Sequence, residues 1–111
     1  MSGKKSRRKG ASFERVAAKL LKPVFPEAKR GLGQARSATE VADVEGTPFW
    51  VEVKRHKRCS IQAAYEQAQD ATDGRPLLII TKDDRGPTLV TMEYDEWLKL
   101  VWEVYLPCCE K

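Results

Sequence analysis

The chain has 111 residues, 41% hydrophobic and 32% charged, with a formal net charge of +4. That supports one modest core in one domain and excludes a generically disordered chain. No apolar run approaches the roughly 18 to 20 residues of a membrane span, so a membrane partner is not expected. No signal-peptide core is read at the N-terminus. Three cysteines (Cys59, Cys108, Cys109) without C-x-x-C spacing argue against structural zinc and for free thiols in a reducing cytoplasm.

The charge is unevenly spread. Residues 1–36 hold eleven Lys or Arg against Glu14 and Glu27, a local +9, and the rest hold nine basic against fourteen acidic residues, −5. Such asymmetry suggests a polyanion partner for the N-terminal third, with a solvated, solubilising tail as the plain alternative.

Residues 1–9 read as a flexible basic arm, and residues 10–111 as a single domain. A helix is expected from about Ser12, as cap, to Lys22. Phe13, Val16, Ala17, Leu20 and Leu21 form its apolar stripe, and Pro23 limits its end. A short strand is read near 28–30. Two strands, about 40–44 and 49–55, then form a hairpin around Glu45-Gly46-Thr47-Pro48, with Val44 opposite Phe49. Alternation puts Ala42, Val44, Phe49, Val51 and Val53 on a core face. The other face collects Val41, Asp43, Trp50, Glu52 and Lys54. Ser60 caps a second helix to about Thr72, with Ile61, Ala64, Tyr65, Ala68 and Ala71 on its buried side. Gly74 and Pro76 stop it. The apolar run 77–81 reads as a strand covered on both faces, parallel to 49–55 through a right-handed crossover. After turn residues 83–87 come a strand at 88–92 and a last helix, about 95–106, expected to bury Trp97, Leu98, Val101 and Tyr105. The class is α/β, with a mixed β-sheet flanked by helices.

The chemistry should lie at Asp43 and Glu52-Val53-Lys54. Two carboxylates on neighbouring strands, with backbones roughly 7 to 8 Å apart, can converge on one hard divalent cation. The Val53 carbonyl can add a ligand. Mg²⁺ there, with Mn²⁺ as a substitute, would acidify a water and neutralise charge on a phosphate. Lys54, on the same face as Glu52, can orient that water or meet the developing charge. The plain alternative is a solvated strand face with a weak ion pair.

These residues resemble the PD-(D/E)xK nuclease superfamily, and within it the small Holliday-junction resolvases of archaea and phages. The likeness runs through Lys9-Gly10-x-x-Phe13-Glu14-Arg15, Asp43-Val44, Trp50-Val51-Glu52-Val53-Lys54 and Gln67-Ala68. Ala42 departs from it, standing where the motif has proline. The resemblance implies a restriction-endonuclease-like core of αβββαβ order. It makes Glu14, Asp43 and Glu52 metal ligands and Lys54 catalytic, and it faces Gln67 toward the phosphate or water. It also implies a structure-selective DNA endonuclease in recombination or repair, leaving 5′-phosphates. On the other view, Glu14 stabilises the positive end of a helix and Gln67 solvates a helix side.

Backbone phosphates should meet Lys4, Lys5, Arg7, Arg8, Lys9, Arg30, Arg36, Arg55, Lys57 and Arg58. His56 belongs with that basic loop, and Trp50 with packing. A four-way junction has two-fold symmetry, so a homodimer is expected, with the C-terminal helix as its interface. Competing readings are a nuclease for nicks, flaps or duplex on the same scaffold, a DNA-binding module without catalysis, and an inhibitor or RNA-binding accessory protein.

Overall fold

A computed structural model describes residues 2–31, 41–55 and 60–105, with side chains from Ser12 onward. Arg36, His56, Lys57, Arg58 and the three cysteines lie outside the described residues, as do the side chains of Lys4, Lys5, Arg7, Arg8 and Lys9. The elements run α1 (Ser2–Leu21), β1 (Lys29–Arg30), β2 (Val44–Glu45), β3 (Trp50–Arg55), α2 (Ile61–Ala71), β4 (Leu77–Lys82), β5 (Thr88–Thr91) and α3 (Tyr94–Tyr105). The five strands form one sheet in sequence order. β3 and β4 are parallel, and every other neighbouring pair is antiparallel. The α/β class with a mixed sheet between helices is therefore as expected. Among the described residues no helix is long and apolar enough to cross a membrane.

Alternation along the two parallel strands builds two cores. Val51, Val53, Leu78 and Ile80 join Val44 beneath Phe13, Ala17 and Ala18 of α1. Trp50, Leu77 and Ile79 face Ala64 and Ala68 of α2. Trp50, Ile79, Val44 and Val51 are the largest side chains wholly removed from water, and each such burial stabilises by about 1.5–3 kcal/mol. The small alanines of α2 let it lie close to the sheet. Its start is fixed by Ser60, whose side chain accepts the Ala63 N–H at 3.2 Å; losing such a cap costs about 1 kcal/mol.

Four expectations need correction. The basic N-terminal stretch is helical from Ser2, continuous with α1, so Ser12 stands inside the helix and caps nothing. Straight-chain Lys and Arg lose little in a helix, and charge alone does not break one. On that helix Val16 and Leu20 are exposed, and the seam is Phe13, Ala17, Ala18 and Leu21.

The hairpin keeps a four-residue connection but moves it one residue along, over 46–49, so that Val44 pairs with Val51. Gly46 explains the shift. Its φ of +88° suits a turn, and an added Cβ would stand 2.0 Å from the Glu27 carbonyl oxygen. Arg75 then seals the turn, donating from Nη1 to the carbonyls of Thr47 (3.3 Å) and Phe49 (3.2 Å). A shift of two in register preserves which face each residue takes.

Ala42 is the exception to that rule. It packs with Trp50 in the α2 core rather than with Val44, because the chain bends at Asp43 and alternation stops there.

Finally, α3 buries none of its residues. Trp97 is 47% exposed, Leu98 42%, Trp102 50% and Tyr105 75%, and Val101 is half-buried. Both faces of the central strands are already covered by α1 and α2, and α3 follows β5, an edge strand whose Leu89 and Val90 are themselves exposed.

Candidate active site

Asp43 sits at a bend immediately before β2. Its N–H donates to the Val51 carbonyl at 2.9 Å, its own carbonyl accepts the Gly31 N–H at 2.8 Å, and its Oδ2 takes the Val53 N–H at 2.8 Å. The carboxylate thus replaces a carbonyl as the acceptor for β3 and is held against that strand. Gly31 makes this possible, since a Cβ there would stand 2.0 Å from the Ala42 carbonyl oxygen.

Glu52 is the one buried acidic residue among the described residues, 8% exposed. Its Oε1 accepts the indole N–H of Trp50 at 3.2 Å. Residues 50 and 52 lie two apart on one strand, hence on one face. Trp50 therefore packs, as expected, and also orients the carboxylate. That parity was readable, but an aromatic beside an acid suggested only packing.

Glu14 comes from α1 and is held by Arg30 of β1, Nε to Oε1 at 2.7 Å. Arg30, expected on a phosphate, is joined to the Glu14 carboxylate. Lys54 donates to Oε1 of Gln67 on α2 at 3.0 Å, so the helix residue anticipated near the site is on the lysine.

Electrostatics ties these residues together. Burial raises the Asp43 carboxyl from 3.8 to about 7, with repulsion from Glu52 and then Glu14 adding to it, while the Val53 N–H and Lys54 pull the other way. Asp43, Glu52, Glu14 and Lys54 therefore share one field. Among the described residues no three His, Cys, Asp or Glu side chains form a ready-made metal cage. The donor set still fits a magnesium-type ion. Its oxygens are hard, two carboxylates plus a carbonyl is the small number such an ion takes, and an acid strained by neighbouring negative charge gains most from a cation. Arg55 lies on the opposite face of β3, with its guanidinium 5.9 Å from the Phe13 ring centroid.

No family model, curated protein or solved structure matches the chain.

Proposed function

We propose that this protein is a Mg²⁺-dependent, structure-selective DNA endonuclease of the PD-(D/E)xK kind, acting on four-way junctions as a homodimer in the cytoplasm. The observation that carries the reading is the gathering of Glu14, Glu52 and Lys54, from α1 and β3, around Asp43 at the β2 bend, whose carboxyl burial first, and then Glu52 and Glu14, lift to about 7. A solvated surface would screen such charges apart; here Glu52 is buried and Asp43 mostly so.

Asp43 and Glu52 would hold the ion, with the Val53 carbonyl and Glu14 as further oxygens. When bound, Mg²⁺ (or Mn²⁺) supplies charge neutralisation and an acidified water. The protein's share is orientation. Trp50 fixes the Glu52 carboxylate, the Val53 N–H fixes Asp43, and Arg30 fixes Glu14. Gln67 steadies the Lys54 ammonium, which aims a cation at the charge developing on the scissile phosphate. The basic N-terminal residues hold the DNA backbone without reading sequence.

The deciding experiment is a gel assay with four-way junctions, flaps, nicked and linear duplex, each with and without Mg²⁺. Junction cutting that needs the ion is the expected result. Cutting of flaps or duplex with junctions untouched would keep the nuclease and discard the junction. Binding without any cutting, in Mg²⁺ or Mn²⁺, would leave a DNA-binding module.

A further inference from the structure

Across α1 from Glu14, a cavity of about 260 Å³ opens between the helix, the C-terminal ends of β3 and β4, and the start of β5. Two cations line it, Arg55 and Lys82, together with two hydroxyl groups, Ser12 and Thr88, and the ring of Phe13. It is separate from the carboxylate cluster. Arg55 follows Lys54 along β3 and so takes the opposite face, while Arg30 draws Glu14 toward β1 at the far edge of the sheet.

The polar groups here are held in place. Lys82 pairs with Thr88 in the β4–β5 ladder, and its Nζ donates to the carbonyls of Gly86 at 2.6 Å and Asp83 at 3.5 Å. The Arg55 guanidinium rests against the Phe13 ring. Its Nε is cut off from solvent and makes no hydrogen bond among the described residues. The carboxylate it pairs with, Asp84, stands 3.8 Å away, beyond hydrogen-bond reach. A fixed guanidinium, an ammonium and two hydroxyls together make a donor set for a tetrahedral oxyanion.

We propose that this cavity is a phosphate-binding pocket that takes one phosphate of a nucleic-acid strand. It rests on the nucleic-acid partner proposed above, and not on cleavage. The sequence of α1 favours a strand over a small phosphorylated molecule: Lys5, Arg8 and Lys9 stand seven, four and three positions before Ser12 in that helix, spacings that share a helix face.

The test uses the full chain in metal-free buffer, where fluorescence anisotropy reads binding to labelled single strands of equal length bearing a 5′-phosphate or a 5′-hydroxyl. Lys82→Gln should weaken binding by roughly three- to tenfold at 50 mM salt and flatten the log–log salt dependence by about 0.7, one lost phosphate contact. Lys82→Arg should restore the slope. Equal loss on both strands assigns the pocket to an internal phosphodiester; loss confined to the 5′-phosphorylated strand assigns it to a strand end. Either outcome supports it. An unchanged affinity and slope overturns the proposal. So does weakening without a change of slope that Lys82→Arg fails to rescue, which would leave Lys82 only its role in the 83–86 turn. Inorganic phosphate provides a second reading, since it should shift the Lys82 and Thr88 amide signals in wild type and not in Lys82→Gln. If these shifts appear and Mg²⁺ still gives no cleavage, the nuclease reading falls and the pocket stands.

Discussion

A carboxyl raised to about 7 makes Asp43 a liability for the fold as well as a candidate ligand. Between pH 4 and 7 the native state holds a proton on Asp43 that the unfolded chain has released, so the contribution of Asp43 to stability is fully present below pH 4 and is lost as pH rises through about 7. The rise from 3.8 to about 7 caps that loss at about 4 kcal/mol, and partial exposure brings it nearer 2 kcal/mol. Asp43→Asn keeps an acceptor for the Val53 N–H and removes the charge. It should therefore melt higher than wild type at pH 8 and match it near pH 4, which calorimetry across that range checks. The same substitution, like Glu52→Gln, should abolish Mg²⁺-dependent cleavage while leaving junction binding nearly intact; unchanged cleavage would overturn the ligand assignment. For wild type, apparent Mg²⁺ affinity, followed by titration calorimetry, should climb about tenfold per pH unit up to pH 7 and then level off, because the ion competes with one proton.

The central elements show how far pattern reading reaches. β3, β4 and α2 were legible because each carries a strong local signal: alternating valines, an unbroken apolar run, and a capped helix with small residues at helical spacing. Parity survived even though the hairpin register moved, since the shift was two. Ala42 escaped because a bend at Asp43 interrupts alternation, and no local residue preference announces a bend that the Val51 carbonyl and the Val53 N–H create. Arg75 escaped because it closes a turn 26 residues away in sequence, onto Phe49. Arg30 looked like any basic residue until β1 brought it to Glu14. Gly31 belongs with these long-range effects. Gly31→Ala would drive a Cβ into the Ala42 carbonyl, separating β1 from the Asp43 strand. The expected result is a loss of about 2 kcal/mol or more in stability, with cleavage reduced further than stability alone explains at a temperature where the variant remains folded. Denaturant unfolding alongside the junction assay separates the two.

At the scale of the whole molecule, two regions are unaccounted for by the core: the basic half of α1 and the exposed apolar α3. Deleting residues 1–9 removes five cations, so junction affinity should fall for every sequence alike. The log–log salt slope should shrink by up to about 4; an unaltered slope would take this stretch out of the interface. The α3 residues bear on the homodimer proposed for a two-fold junction. Tyr94, Trp97, Leu98, Trp102 and Tyr105 are all exposed on one short helix, and Leu89 and Val90 of the edge strand that precedes it in the chain are exposed too, a concentration of apolar surface that an isolated small domain rarely leaves in water. Self-association through it would cover both, and aromatic residues are the ones interfaces favour. Because no residue of α3 contributes to the buried core, Trp97→Glu or Trp102→Glu should leave the melting of the monomer fold within about 0.5 kcal/mol. Burying a carboxylate at the seam should dissociate the dimer by several kcal/mol. Sedimentation equilibrium reads this directly. Wild type should run at twice the chain mass and the glutamate variants at the chain mass, with single nicks replacing paired cuts on the junction. A wild-type protein that stays monomeric with junction DNA bound would leave paired resolution without a mechanism.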